Sequence, residues 1–178
     1  MKIAIATDHN GVNEKKELIK LLSKYDFLDK SPVNTDTDDY PDFAFEVANS
    51  VVSKEADLGV LLCGTGIGMS IALNKMKGIY CAKVSMVSEA SLAKAHNDAN
   101  TIAISEEMDR ELMKDVISTF INTPFTNIDR YKNRNNKIKD IENKELTRVV
   151  CVAKYNNKFI YCKHKYRETW ELPGGHIE

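Results

Sequence analysis

Leu58-Gly59-Val60-Leu61-Leu62-Cys63-Gly64-Thr65-Gly66-Ile67-Gly68 decides the fold. An apolar run ends at a cysteine, glycine then takes every second position, and the chain continues with helical period. That order describes a strand, a tight loop and a helix N-terminus. Alternating glycines let the backbone turn sharply and aim several N–H groups at one point, where a helix dipole adds partial positive charge. Such a loop suits an anion. The cysteine at its mouth sets a thiol against whatever ligand the amides hold, so the pairing points to chemistry as well as binding. The spacing is G-x-G-x-G, no acid for a ribose follows Val84-Ser85, and no Gly-Lys-Ser/Thr is present. Dinucleotide and nucleoside triphosphate loops are therefore disfavoured, and a smaller phosphorylated ligand fits better.

Outward from this stretch, short β-rich runs alternate with segments of helical period, the pattern of a parallel α/β sheet. Strands are expected at Lys2 to Thr7, Asp57 to Leu62, Ile79 to Val84 and Thr101 to Ile104, with a weaker one near Phe27 to Asp29. Helices are expected at Asn13 to Lys24, Asp42 to Lys54, Gly68 to Lys77, Ser88 to Lys94 and Asp109 to Asn122. Pro41 marks a helix start and Pro124 closes the last helix. Residues 126 to 148 hold seven Lys or Arg, four Asp or Glu and few apolar side chains, so they read as an arm with one short helix around Ile138 and Ile141. From Leu146 the chain turns β-like: Thr147 to Tyr155, an Asn156-Asn157 turn and Lys158 to Lys163 form an expected hairpin. The division is a core at 1–125, a basic arm at 126–145 and a small β-rich tail at 146–178.

The chain has 178 residues, 43% hydrophobic and 29% charged, enough for one sizeable core with an appendage. A net charge of -1 gives no electrostatic reason to expect nucleic acid or a membrane surface as partner. No apolar run approaches the roughly 18 residues of a bilayer span, and the opening Met1-Lys2-Ile3-Ala4-Ile5-Ala6 is too short for a signal segment. A cytoplasmic location is expected. Cys63, Cys81, Cys151 and Cys162 lack C-x-x-C spacing, which favours reduced thiols over zinc or a disulfide framework.

Open α/β sheets bind ligands at the carboxyl ends of their strands. Past strand one stand Asp8, His9 and Asn10 before Gly11; past the third come Cys63 to Gly68; and His96-Asn97-Asp98-Ala99-Asn100 enters the fifth. An acid, two imidazoles, a thiol and a ring of backbone donors are the parts needed to move protons next to a carbonyl. Each has a plainer alternative: a core cysteine, a loop-capping His9, a His96 ending a helix at the favourable pole of its dipole. Asp36-Thr37-Asp38-Asp39 lacks calcium-loop spacing and reads as a solvated loop.

Asp8-His9-Asn10-Gly11, Asp39-Tyr40-Pro41, Cys63 to Gly68, Asn74-Lys75, Gly78 and His96 to Asn100, in this order and spacing, resemble the type B ribose-5-phosphate isomerases and their galactose-6-phosphate isomerase relatives. The resemblance covers about residues 1 to 142, including Arg130 and Arg134, spaced like that family's C-terminal phosphate-binding arginines. It implies a doubly wound five-stranded parallel sheet, a Rossmann-like three-layer sandwich, and a homodimer or dimer of dimers with sites at the subunit interface. It implies no metal and no cofactor. Cys63 becomes the base that takes the C2 proton of an open-chain sugar, and the amides of Gly64, Gly66 and Gly68, assisted by Thr65, stabilise the enediolate. His96, reaching across the dimer, opens the furanose ring. Asp8 orients sugar hydroxyls, His9, Arg130 and Arg134 hold the phosphate, and Tyr40, Ser70 and Asn97 line the sugar. The implied activity is interconversion of ribose 5-phosphate and ribulose 5-phosphate; a six-carbon sugar phosphate, or a non-catalytic sugar-phosphate sensor, is the alternative.

Two departures qualify this pattern. In an ungapped alignment after Asn100, Glu107 falls where many members place a further phosphate-binding arginine, and Ser105 replaces a usual glycine. A carboxylate there opposes a dianionic phosphate unless it turns outward. The tail, Thr147 to Glu178 with Trp170-Glu171-Leu172-Pro173-Gly174-Gly175-His176-Ile177-Glu178, resembles the opening of a Nudix hydrolase domain, whose metal-binding carboxylates lie on a helix downstream of this stretch. It is expected to be an incomplete fragment without hydrolase activity.

Overall fold

The computed structural model describes residues 1–142 continuously. Beyond them it describes only the strand pieces Val149–Val150, Lys154–Tyr155, Lys158–Phe159, Cys162–Lys163, Trp170–Glu171 and Gly174–Gly175. The chain divides into two compact units, Met1–Glu142 and Asn143–Glu178.

In the first unit, β1 (Lys2–Thr7), β2 (Asp26–Asp29), β3 (Leu58–Cys63), β4 (Cys81–Lys83) and β5 (Thr101–Ser105) form one parallel sheet in the order β2-β1-β3-β5-β4. The helices between and after them are α1 (Val12–Leu21), α2 (Tyr40–Val52), α3 (Ile67–Leu73), α4 (Val87–Asn97), α5 (Arg110–Asn122) and α6 (Asp129–Glu142). Strand side chains alternate between faces. Ile3, Ile5, Val60, Leu62, Ile102 and Ile104 meet Leu18 of α1, Ala90 of α4 and Phe120 of α5 on one face. Ala4, Ala6, Leu61, Cys63 and Ala103 meet Val47 of α2 and Met69 of α3 on the other. This is the expected doubly wound α/β sandwich with five parallel strands.

The two faces differ in side-chain size. The α2/α3 face of the sheet carries Ala4, Ala6, Ala103 and Gly59 beside Leu61 and Cys63, and at Gly59 α2 lies very close: a Cβ there would stand 2.6 Å from Val47 Cγ1 and 2.8 Å from Thr101 Cγ2. Pro41 sits in the first turn of α2, as its lack of an N–H favours. α1 ends at Leu21, three residues before the expected Lys24, and two further elements are shorter than sequence suggests. β4 spans only Cys81–Lys83, and α3 stops at Leu73, where Asn74 bonds the Ser70 carbonyl and both the carbonyl and N–H of Cys81 at 2.9 Å each. That side chain turns the chain from helix to strand.

The arm is more ordered than its composition suggests, because α6 is a 14-residue helix held by contacts from its own unit. The Tyr131 ring stacks on His96 with centroids 4.1 Å apart, and Asn135 Nδ2 donates to the His96 carbonyl at 3.2 Å. At its far end Glu142 accepts from the Tyr80 hydroxyl at 2.7 Å and the Gly78 N–H at 3.3 Å. In the second unit the described pieces pair antiparallel: Lys154 with Phe159, Cys162 with Glu171, and Val150 with Gly174. The first pair falls within the expected hairpin, whose Asn156-Asn157 turn lies outside the described residues, as do Leu172, Pro173 and His176 to Glu178.

Candidate active site

β1 and β3 are neighbours at the centre of the sheet, with Thr7 level with Leu62. The connections leaving them go to opposite faces, α1 to one and α3 to the other, and such a switch point opens a crevice at the strand ends. Asp8 and Cys63 follow at that edge. Asp8 is buried and caps a single 3-10 turn, His9–Gly11, accepting the Asn10 N–H at 3.0 Å and Asn10 Nδ2 at 3.3 Å. Gly11 is needed here: a Cβ on it would lie 2.4 Å from Thr7 Oγ1.

Cys63 is buried, and its Sγ accepts the Gly66 N–H at 3.2 Å. Gly66 adopts φ +77, and an added Cβ would press on the Ile104 backbone at 3.0 Å, so this position excludes side chains on two counts. Gly68 has a different reason: a Cβ there would meet the Tyr40 ring at 2.6 Å, so Tyr40 lies directly over the loop. Thr65 is exposed and its Oγ1 accepts the Ile67 N–H at 3.3 Å; Ser70 follows on α3, half-buried. The Ser105 hydroxyl donates to the Gly64 carbonyl at 2.6 Å and accepts the Glu107 N–H at 3.2 Å, which ties the end of β5 to the loop.

The two described cysteines differ in surroundings. Burial pushes the Cys81 thiol up to about 12, which keeps it neutral. Cys63 instead faces an amide donor. Beside it a carboxylate group gathers: the pKa of half-buried Glu106 is raised by burial first, then by Glu107, Asp8 and Glu14. Glu107 itself is exposed. Among the described residues no group of three or more His, Cys, Asp or Glu is placed to hold a metal ion.

Not all of the expected site comes together. His96 and Asn97 end α4, four residues before β5 begins at Thr101, and Thr101 pairs with Gly59 at the start of β3. His96 therefore sits at the amino edge of the sheet and Cys63 at the carboxyl edge, where it pairs with Ser105. The four steps from Thr101 to Ser105 alone span roughly 13 Å. Within one chain the residues form two clusters: Asp8, His9, Tyr40, Cys63 to Gly68 and Ser70 at one edge, and His96 and Asn97 with α6, which carries exposed Arg130 and Arg134, at the other. Sequence reasoning missed Tyr131, Asn135 and Asp38. The signal for the first two is the 3-4-3-4 spacing of Ile128, Tyr131, Asn135, Ile138 and Glu142, one face of a helix.

A family model described as Ribose/Galactose Isomerase matches residues 3–138. The chain belongs to this family. The ribose-5-phosphate isomerase B of Escherichia coli (strain K12) is 36% identical over 127 residues, 70% of this chain and 85% of that protein. Among solved structures, a ribose-5-phosphate isomerase B of Clostridium thermocellum superposes with TM-score 0.77 at 39% identity, covering 81% of this chain and 99% of that one. The Mycoplasma genitalium ribose-5-phosphate isomerase B, solved with bound ribulose-5-phosphate, gives TM-score 0.75 at 35% identity over 81% of this chain and 97% of that one. As a ribose/galactose isomerase family member the chain is a sugar-phosphate aldose–ketose isomerase, and the match ends short of the second unit. Among the described residues no helix is long and apolar enough to cross a membrane.

Proposed function

We propose that the protein interconverts ribose 5-phosphate and ribulose 5-phosphate through an enediolate, with Cys63 as the base. The observation that carries this reading is the Cys63 thiol at the mouth of the amide loop, with the Gly66 N–H 3.2 Å from Sγ and Asp8 and His9 on the adjacent strand end. The thiolate takes the proton from C2 of the open-chain aldose and returns it at C1, the O2 hydroxyl proton passes to O1 through the enediolate, and loop amides stabilise the charge that develops on oxygen. A positioned base supplies about 10² to 10⁴-fold, and each oxyanion donor a further 10² to 10³-fold, roughly. Asp8 orients hydroxyls, Tyr40, Ser70 and Asn97 line the sugar, and His9, Arg130 and Arg134 hold the phosphate.

The complete site is built from two copies of the chain: the Cys63 edge of one and the His96–Arg130–Arg134 cluster of the other, with His96 protonating the ring oxygen to open the furanose. Support comes from the opposite placement of the two clusters in one chain and from apolar side chains left exposed on both. Ile67 and Ile71 on α3 are 55% and 58% exposed, and Leu92 on α4 and Ile138 on α6 are about half exposed. Burial of such groups favours association. The Nudix-like reading of residues 147–178 adds no activity to this proposal.

A coupled assay for ribulose 5-phosphate formation, run beside galactose and allose 6-phosphates, tests the substrate. A six-carbon sugar phosphate is the second reading, since the matching family model covers both ribose and galactose isomerases. Binding of ribose 5-phosphate without turnover would instead make the protein a sensor.

A further inference from the structure

Asp36-Thr37-Asp38-Asp39 reads in sequence as a solvated loop, yet the Asp38 side chain is only 11% exposed. Its Oδ1 accepts both the His9 backbone N–H and His9 Nδ1, each at 2.9 Å. Its Oδ2 accepts from Asn34 Nδ2 at 2.8 Å and the Thr35 N–H at 3.2 Å. Asn34 Nδ2 also donates to the Thr7 carbonyl at 2.9 Å, so the end of β1, the loop before α2 and the His9 ring form one hydrogen-bonded unit. His9 Nε2 makes no hydrogen bond among the described residues, and the His9 side chain is 38% exposed.

A ring whose Nδ1–H is given to a carboxylate has its tautomer and orientation fixed. In the neutral ring that leaves Nε2 as an acceptor, which repels an anion; only the imidazolium offers a second N–H. Building on the sugar-phosphate reading above, we propose that Asp38 is a positioning residue for substrate binding, aiming the imidazolium Nε2–H of His9 at the phosphate group. Asp38 also favours the protonated ring: the His9 pKa is raised first by this hydrogen bond, against a smaller lowering by desolvation, and then by the charges of Asp8 and Asp38. The other charged groups about His9 are Lys15, Lys16 and Asp36, which border with it a hollow of about 410 Å³. The Lys15 ammonium is committed to Asp29 at 2.8 Å and to Ser31. With Glu107 in place of a cation, the phosphate depends more heavily on His9.

The test combines steady-state kinetics with an NMR titration of the His9 ring. In the wild type KM should rise as pH increases through the His9 midpoint. Asp38→Asn should lower that midpoint and raise KM about tenfold near neutral pH, with kcat within about twofold. Placed in a His9→Gln background, Asp38→Asn should add little, because its route of action is gone. An unchanged His9 midpoint in Asp38→Asn, or an equal KM increase with and without His9, would overturn the proposal, the second by showing that the loop alone is disturbed. If no sugar phosphate turns over at all, the isomerase reading falls, and inorganic phosphate becomes the probe. Its effect on the His9 resonances should then weaken in Asp38→Asn, and an undiminished effect would overturn the role of Asp38.

Discussion

Cys63 and Cys81 carry the same thiol in different fields. The first accepts an amide hydrogen bond at the mouth of the glycine loop, whereas burial holds the second protonated, up to about 12. Cys63→Ala should therefore lower kcat by about 10² or more and abolish solvent deuterium incorporation at C2, with substrate binding kept within a few fold. Cys81→Ala should leave turnover within about twofold. Wild-type exchange in Cys63→Ala, read by mass spectrometry of recovered sugar phosphate, would remove Cys63 from the mechanism. The His9–Asp38 pair makes a prediction about stability. The raised His9 pKa contributes stability below its unfolded value, lost as pH rises through the folded pKa. Asp38 is pulled upward by burial, but hydrogen bonds from Asn34 and His9 win and lower its pKa. Its contribution is thus present above the unfolded value and lost as pH falls through the folded one. The difference in Tm between wild type and Asp38→Asn should be largest between about pH 4 and 6.5, the two unfolded values, and shrink on either side.

Among the elements, local chemistry shapes some and tertiary context the others. The strand–loop–helix unit around Cys63 is legible in sequence because apolar run, alternating glycines and helix follow one another without interruption, and Gly66 with φ +77 bears out the need for glycine. Gly66→Ala should cost about 1 kcal/mol in backbone strain alone, more with the Ile104 contact, and lower Tm by several degrees in a thermal melt. An unchanged Tm would show that the loop relaxes. The α6 helix was only partly legible, since its many charged and amide side chains hide the face that meets His96 and Tyr80. Its helicity comes from packing, which composition cannot express. In sequence Asp38 looks solvated for a related reason: its partners, His9 and Asn34, are distant or unremarkable there and meet it only when β1 and the loop before α2 lie side by side. His96 precedes β5 and Cys63 ends β3, so in a parallel sheet the two fall at opposite edges, in keeping with the cross-dimer role that the family resemblance implies for His96.

At the scale of the whole molecule, every residue assigned to the proposed site lies within Met1–Glu142. Removing residues 146–178 should leave kcat/KM within about twofold, and magnesium-dependent hydrolysis of nucleoside diphosphate compounds by the full chain would contradict the fragment reading of the tail. The separation of Cys63 and His96 to opposite edges of the sheet makes an isomerase site shared between two copies testable in one mixture. Cys63→Ala and His96→Asn should each lose nearly all conversion of ribose 5-phosphate. Unfolded together in equal amounts and refolded, they form mixed dimers in which one of the two shared sites carries both substitutions and the other carries neither. Random pairing then predicts recovery of about a quarter of wild-type activity. Recovery near that level would place the two groups on different chains of one catalytic site, and a mixture no more active than its components would contradict it.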